Sequence, residues 1–330
     1  MIHPIPPGTR DILPDEMREL RRLHLALLDV FESRGYGEVT TPAIEYDEVL
    51  ARGDGRTADS AYRFFDERGD LLALRSDMTV PIARLVASRY ASAEGPLRFC
   101  YLANAFRAVR PQRGQMREFA QAGVELIGTP APAGTVEVVE VLEATLDAVG
   151  LDRAVIGLGD ADLYRQLLTE FGVEGEPRDA ILERLATHDL VGLESELSQA
   201  GINTAQVETC LALSQLRGGR EVLDQAREIG GPAVERATAR LGETFEALEE
   251  RGVAERVRVD LGLLRDLGYY SGAILEVYDP ALGHILGGGG RYDELLKRFG
   301  VDLPAAGFAL YVERVHVAQM EEESRRGGSP

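Results

Sequence analysis

Residues 106–125 read Phe-Arg-Ala-Val-Arg-Pro-Gln-Arg-Gly-Gln-Met-Arg-Glu-Phe-Ala-Gln-Ala-Gly-Val-Glu. Four arginines (Arg107, Arg110, Arg113 and Arg117) crowd into this stretch of a chain whose formal net charge is −19. Clustered like charges repel, so the arrangement calls for a visiting anion. A guanidinium fork matches the oxygens of phosphate or carboxylate. One surface arginine reads as a solvated side chain; four beside Pro111 and Gly114 read as an anion-binding turn. Beyond the cluster the sign changes. Gln121 and Glu125 lie four apart, on one face of a strand. The stretch predicts two long strands, Leu97–Val109 and Arg117–Gly128, joined by an arginine turn.

The flanking chain builds helices and more hairpins around that pair. Pro14, Asp15 and Glu16 suit the start of a helix. Met17, Leu20, Leu23, Leu27, Leu28 and Phe31 then recur at helical spacing, and Gly35 stops it, giving a helix over 14–34. Glu38–Thr41 reads as a strand. Tyr62–Asp66 and Leu71–Leu74 flank a hairpin turn. Ser76 or Asp77 caps a helix running to Tyr90. A helix follows over 135–149 and a strand at Ala154–Leu158. From about 160 to 252 the chain is rich in Leu, Ala, Glu and Arg, which predicts helices without strands, inserted in the main fold as a subdomain. Strands return at Val257–Leu263, Ala273–Tyr278 and His284–Leu286, with helices at Tyr292–Phe299 and Phe308–Met320. Residues 321–330, charged and Gly-rich, read as a disordered tail. The pattern is α+β, an antiparallel sheet flanked by helices.

Composition narrows the function classes. The 330 residues are 45% hydrophobic, enough for a full core. No window approaches 18 consecutive apolar residues, so no membrane span is expected. The N-terminus lacks the basic flank and apolar run of a secretory signal. Cys100 and Cys210 stand alone, without metal-ligand spacing, so the expectation is a reduced, cytoplasmic protein without structural metal. Asp and Glu number 55 against 36 Lys and Arg, a balance that repels polyanions and argues against nucleic acid. A halophilic acidic surface gives the same balance.

Further along, Arg265 precedes Tyr269-Tyr270-Ser271-Gly272. Adjacent strand residues face opposite ways, so one tyrosine can pack while the other offers its hydroxyl to a ligand. Gly287–Gly290 run into Arg291-Tyr292-Asp293. Such a run weakens a strand, which leaves two readings open: a tight turn, or a ligand approaching bare backbone. Arg314 reads as a helix-surface arginine. No dinucleotide or P-loop fingerprint is present.

Together these pieces resemble class II aminoacyl-tRNA synthetases, and among them the histidyl-tRNA synthetase family. Pro7-Gly-Thr-Arg-Asp-Ile-Leu-Pro14 is similar to that family's start. Gly35–Pro42 resembles motif 1, a dimer-interface element; Phe106-Arg107 and the loop to Glu125 resemble motif 2; Gly307–Leu310 through Glu313-Arg314 resembles motif 3. Arg265–Gly272 and Gly288–Asp293 resemble the two stretches particular to the histidine branch. The resemblance spans nearly the whole chain and implies a class II synthetase-like domain over 1–320 with a helical insertion over 160–252. It places Asp77 where the family has a glutamate for the α-amino group. Gln121, Glu125 and the Tyr269–Tyr270 pair fall at the positions lining histidine. Arg107, Arg265 and Arg314 match the arginines that hold ATP phosphates and the reacting carboxylate, with Arg113 a further anion-binding candidate.

Three departures separate the chain from a synthetase. Motif 2 normally reads Phe-Arg-x-Glu, and Val109 cannot accept the glutamate's hydrogen bond. Gly268 replaces the aspartate of Arg-Gly-Leu-Asp-Tyr-Tyr. The chain ends about sixteen residues after Arg314, where the anticodon-binding domain would follow. A histidine pocket without tRNA apparatus resembles a paralogous family, the regulatory subunits of ATP phosphoribosyltransferase. That resemblance implies no catalytic residue and no cofactor. It also implies histidine as a feedback effector, a short catalytic subunit as partner, and a homodimer through motif 1 within a hetero-oligomer. The rival readings are a histidine-activating enzyme and an amino-acid-sensing module.

Overall fold

The computed structural model describes residues 5–53, 61–108, 116–265, 268–280 and 282–327. Val109, Arg110, Pro111, Arg113 and Gly114 of the arginine turn lie outside them.

Helix α1 (Pro14–Ser33) starts on its proline and buries Leu20, Leu23, Leu27 and Phe31 of the predicted stripe, leaving Met17 and Leu28 half-buried. Each such side chain contributes about 1.5–3 kcal/mol on burial. Arg34 and Gly35, the latter at φ +83°, end it. The next elements are β1 (Gly37–Glu38), β2 (Ile44–Tyr46), α2 (Asp47–Gly53), β3 (Arg63–Phe65), β4 (Leu71–Leu74) and α3 (Thr79–Arg89). Strands β2, β4 and β3 form a small antiparallel sheet.

The two long strands are β5 (Leu97–Phe106) and β6 (Glu118–Ile127), paired antiparallel from Leu97↔Ile127 to Phe106↔Glu118. After α4 (Ala133–Ala148) and β7 (Val155–Asp160) come five helices: α5 (Leu163–Glu170), α6 (Gly175–Ala186), α7 (Leu190–Gln199), α8 (Thr204–Gln215) and, past the two-residue β8 (Arg217–Gly218), α9 (Glu221–Ile229). α10 (Pro232–Glu250) completes the helical run, followed by β9 (Val257–Asp260), β10 (Ala273–Tyr278), β11 (Ile285–Arg291), a 3-10 turn (Leu296–Phe299), β12 (Ala305–Tyr311) and α11 (Val312–Gly327).

The main sheet runs β1-β5-β6-β12-β11-β10-β7-β9-β8. Its centre is antiparallel throughout, and the β1–β5 and β7–β9 pairs are parallel. One face packs on α1, α4 and α11, where Phe31 meets Phe308 edge-on at 5.9 Å. The opposite face carries a smaller cluster around Met78, Tyr101, Tyr269, Tyr270 and Tyr292.

Several elements differ from the sequence expectation. The helical run contains one strand, β8, paired with β9. Its core is continuous with that of the sheet: Leu167, Leu213, Leu241 and Leu248 belong to one apolar cluster with Leu142 and Leu158. Phe308–Tyr311 are strand, not helix, because Phe308 and Leu310 face the helices while Gly307 and Ala309 face the other side. That alternation has the strand period. The expected helix over Tyr292–Phe299 shrinks to the 3-10 turn. The expected disordered tail is ordered as far as Gly327. There Glu322 is buried and accepts the Arg153 N–H at 3.1 Å, and Arg326 donates to the Gly150 carbonyl at 2.9 Å.

Candidate functional site

The register of four strands makes the floor of the site. Glu125, Gly123 and Gln121 on β6 stand opposite Gly307, Ala309 and Tyr311 on β12, and Gly290 and Gly288 on β11 stand opposite Gly307 and Ala309. Strand β5 adds Tyr101 beside Gly123. The central floor is therefore nearly without side chains. A Cβ at Gly307 would collide with the Glu125 carboxylate, and one at Gly288 with the Arg265 guanidinium and the Leu275 carbonyl oxygen. Gly287–Gly290 are strand, not a tight turn, and the missing side chain at Gly288 leaves room for Arg265.

One end of the site is acidic. Glu125 is only 1% exposed. Thr79 Oγ1 donates to its Oε1 at 2.8 Å, and the Tyr292 hydroxyl donates to its Oε2. Burial pushes its carboxyl up to about 8; the two hydroxyls oppose that shift and the nearby Asp77 adds to it. Gln121 is buried, and its Oε1 has no hydrogen-bond partner among the described residues. A buried amide oxygen favours any N–H donor placed beside it. Asp77 is buried and its Oδ1 accepts the Val80 N–H at 3.1 Å, so it holds the start of α3 and lines the pocket at once. Tyr269 and Tyr270, 5.0 Å apart, close the side, with Tyr292 edge-on to Tyr269.

The other end is basic. Arg107 donates to the Tyr311 hydroxyl at 3.2 Å and lies over the Phe119 ring. Arg314 donates to the Ile285 carbonyl at 2.7 Å and stacks on Tyr311, 4.3 Å from its centroid. Arg265 sits over Tyr270 at 6.0 Å with the Glu276 carboxylate 3.9 Å away, and its buried Nε has no partner among the described residues. Burial works to raise the Tyr311 hydroxyl, yet Arg107, Arg265 and Arg314 together pull it down to about 8. Three cations around one phenol make a field that attracts anions.

The structure thus gathers Asp77, Gln121, Glu125, Tyr269, Tyr270, Arg107 and Arg265 around one cavity. Arg314 joins through Tyr311, and Arg113 lies outside the described residues. The free space is about 30 Å³, room for a water or two. A larger ligand has to part the walls. Sequence reading missed Thr79, Tyr101 and Tyr311, which reach the site by register and helix placement. Tyr292 carried a weak signal, the Arg-Tyr-Asp after the glycines. Among the described residues no group of three or more His, Cys, Asp or Glu could hold a metal ion.

A helix-backed, largely antiparallel sheet bearing a small pocket, acidic at one end and arginine-lined at the other, defines a class II aminoacyl-tRNA synthetase-like core. The histidyl-tRNA synthetase family model matches residues 8–315. The chain is similar to proteins named ATP phosphoribosyltransferase regulatory subunit. The one from Moorella thermoacetica is 41% identical over 96% of this chain and 82% of its own length. The one from Symbiobacterium thermophilum is 43% identical over 96% and 80%. A solved structure from Bacillus halodurans, described as an ATP phosphoribosyltransferase regulatory subunit/histidyl-tRNA synthetase, superposes with a TM-score of 0.86 at 31% identity, covering 97% of this chain and 84% of the other. The chain belongs to the histidyl-tRNA synthetase family, in the branch of the ATP phosphoribosyltransferase regulatory subunits.

Proposed function

We propose that the chain is a non-catalytic regulatory subunit that binds free histidine and controls a short ATP phosphoribosyltransferase catalytic subunit at the first step of histidine biosynthesis. The partner joins ATP to phosphoribosyl pyrophosphate, releasing pyrophosphate. The names of the relatives support the assignment, and one observation carries the ligand: Glu125, a buried carboxyl group held by two hydroxyls beside the Gln121 oxygen, which has no partner among the described residues. Such acceptors suit the N–H groups of an imidazole. Asp77 faces the α-amino group, and the arginines take the carboxylate. Histidine then favours one state of the assembly over the other, for which a coupling of roughly 1–3 kcal/mol is typical. Gly35–Pro42 supplies the homodimer contact.

The test mixes the chain with a short catalytic subunit. The two are expected to co-purify, the mixture to be active where the catalytic subunit alone is not, and histidine to suppress that activity. Absence of association, or association without effect on activity, refutes the reading. The cluster of Arg107, Arg265 and Arg314 favours a second reading, histidine activation with ATP. Robust histidine-dependent ATP–pyrophosphate exchange would establish that one instead.

A further inference from the structure

The segment carrying Tyr269 and Tyr270 is held by the helical region, and this gives that region a task. Arg165, in the first turn of α5, donates from Nη1 to the Tyr270 carbonyl at 3.1 Å. Asp162, just before α5, accepts the Gly272 N–H at 3.2 Å, and the Gly272 carbonyl accepts the Ala161 N–H at 2.7 Å. Gly272 has φ +69°, a conformation that side-chain-bearing residues rarely adopt. The backbone of the pocket wall is thus fixed, over three residues, to the start of one helix.

The link continues beyond that helix. The Asp162 N–H donates to Asp160 Oδ1 at 2.9 Å. Asp160, 2% exposed, takes both arms of the Arg240 guanidinium from α10, at 2.9 Å each. One turn earlier on α10, Arg236 reaches back to Gln166 and Glu170 of α5 at 2.7 and 2.9 Å. From the other side, Ser271 donates its N–H to the Arg291 carbonyl at 2.8 Å and accepts the Asp293 N–H at 3.0 Å. Tyr292, between those two residues, is the donor to Glu125. A path of hydrogen bonds and adjoining backbone therefore runs from Glu125 through Tyr292, its neighbours Arg291 and Asp293, Ser271 and Tyr270 to α5 and α10.

Because the free space is only about 30 Å³, a ligand of amino-acid size has to move the walls, and the Tyr269–Gly272 wall is held by Arg165 and Asp162 as it does so. We propose that helices α5 and α10 are the output arm of the pocket, with Arg165 as the positioning residue that transmits its occupancy. This rests on the histidine reading above. Arg236, through Gln166 and Glu170, ties α10 directly to α5, and the bidentate Arg240–Asp160 pair ties α10 to the end of β7 just before α5.

The test combines calorimetry with hydrogen exchange on the full chain, with and without histidine. Histidine is expected to slow amide exchange in Leu163–Glu170 and Pro232–Glu250 as well as in the pocket strands. Arg165→Ala is expected to weaken histidine binding roughly tenfold, the scale of a lost charged hydrogen bond, and to abolish the slowing in α10. Arg165→Lys, which keeps a donor, is expected to restore much of both. If the wild type binds histidine but exchange in α5 and α10 does not change, the inference falls while the pocket reading stands. It also falls if Arg165→Ala binds and responds like the wild type. If the wild type does not bind histidine, the pocket reading itself fails. Should Arg165→Ala not fold, the wild-type exchange pattern and Arg165→Lys decide.

Discussion

Glu125 is an acid kept almost dry, and pH is the variable that exposes its state. Its carboxyl has an ordinary value of 4.5 and titrates at about 8 in the fold, raised chiefly by burial. The folded form therefore holds the proton more tightly than the unfolded chain. Stability from this group is fully present below about 4.5 and is lost as pH rises through about 8. The thermal midpoint of ligand-free protein should fall over that window, and Glu125→Gln should flatten the fall. Parallel curves for the two proteins would show that the carboxylate is already ionised in the fold. In calorimetry, Glu125→Ala should weaken histidine binding at least about tenfold, because the ligand's N–H group then faces no buried acceptor. Unchanged affinity would place the pocket elsewhere. Gln121 and Glu125 could be paired from their spacing in one strand. Thr79, Tyr292 and Tyr311 could not, since nothing in a single sequence says which distant residues a register will bring to the same carboxylate.

Strand β11 shows why elements were harder to read than residues. A run of four glycines has no hydrophobic alternation, so neither strand nor turn could be chosen from the sequence. What identifies it as a strand is its neighbours: β10 and β12 pair with it on both sides. Gly288→Ala places a methyl group against the Leu275 carbonyl, which is backbone and cannot step aside, and against Arg265. A loss of about 1–3 kcal/mol in denaturant unfolding is expected, as for other overpacked sites. Equal stability would mean that the strand yields. The helix assigned over Phe308–Met320 erred for a related reason. Its first four residues are Phe-Ala-Leu-Tyr, a short apolar run that fits either period, and the partner strand β6 decided between them. By contrast α1, with six apolar residues at helical spacing and a proline at its start, was legible in full.

Over the whole molecule, charge and core act on different functions. A net charge of −19 opposes a polyanion overall, the arginine end of the pocket being a local exception. The chain should leave tRNA unretarded in a gel at about 0.15 M salt, where surface repulsion still reaches roughly 8 Å. A retained, salt-sensitive band would contradict the regulatory reading. The helical run from α5 to α10 was visible in composition, but its fusion with the main core was not, because the leucines that build it look the same whether they pack inward or on the sheet. Both cysteines are buried in that fabric, and burial pushes each thiol up to about 12, which leaves them poor nucleophiles. The small cavity has a consequence in time. A ligand larger than its free space of about 30 Å³ enters only when the walls part, so capture is slower than simple encounter. Such motions run over microseconds to milliseconds. The walls that delay entry delay escape as well, so the enclosure lengthens a ligand's stay without by itself setting its affinity.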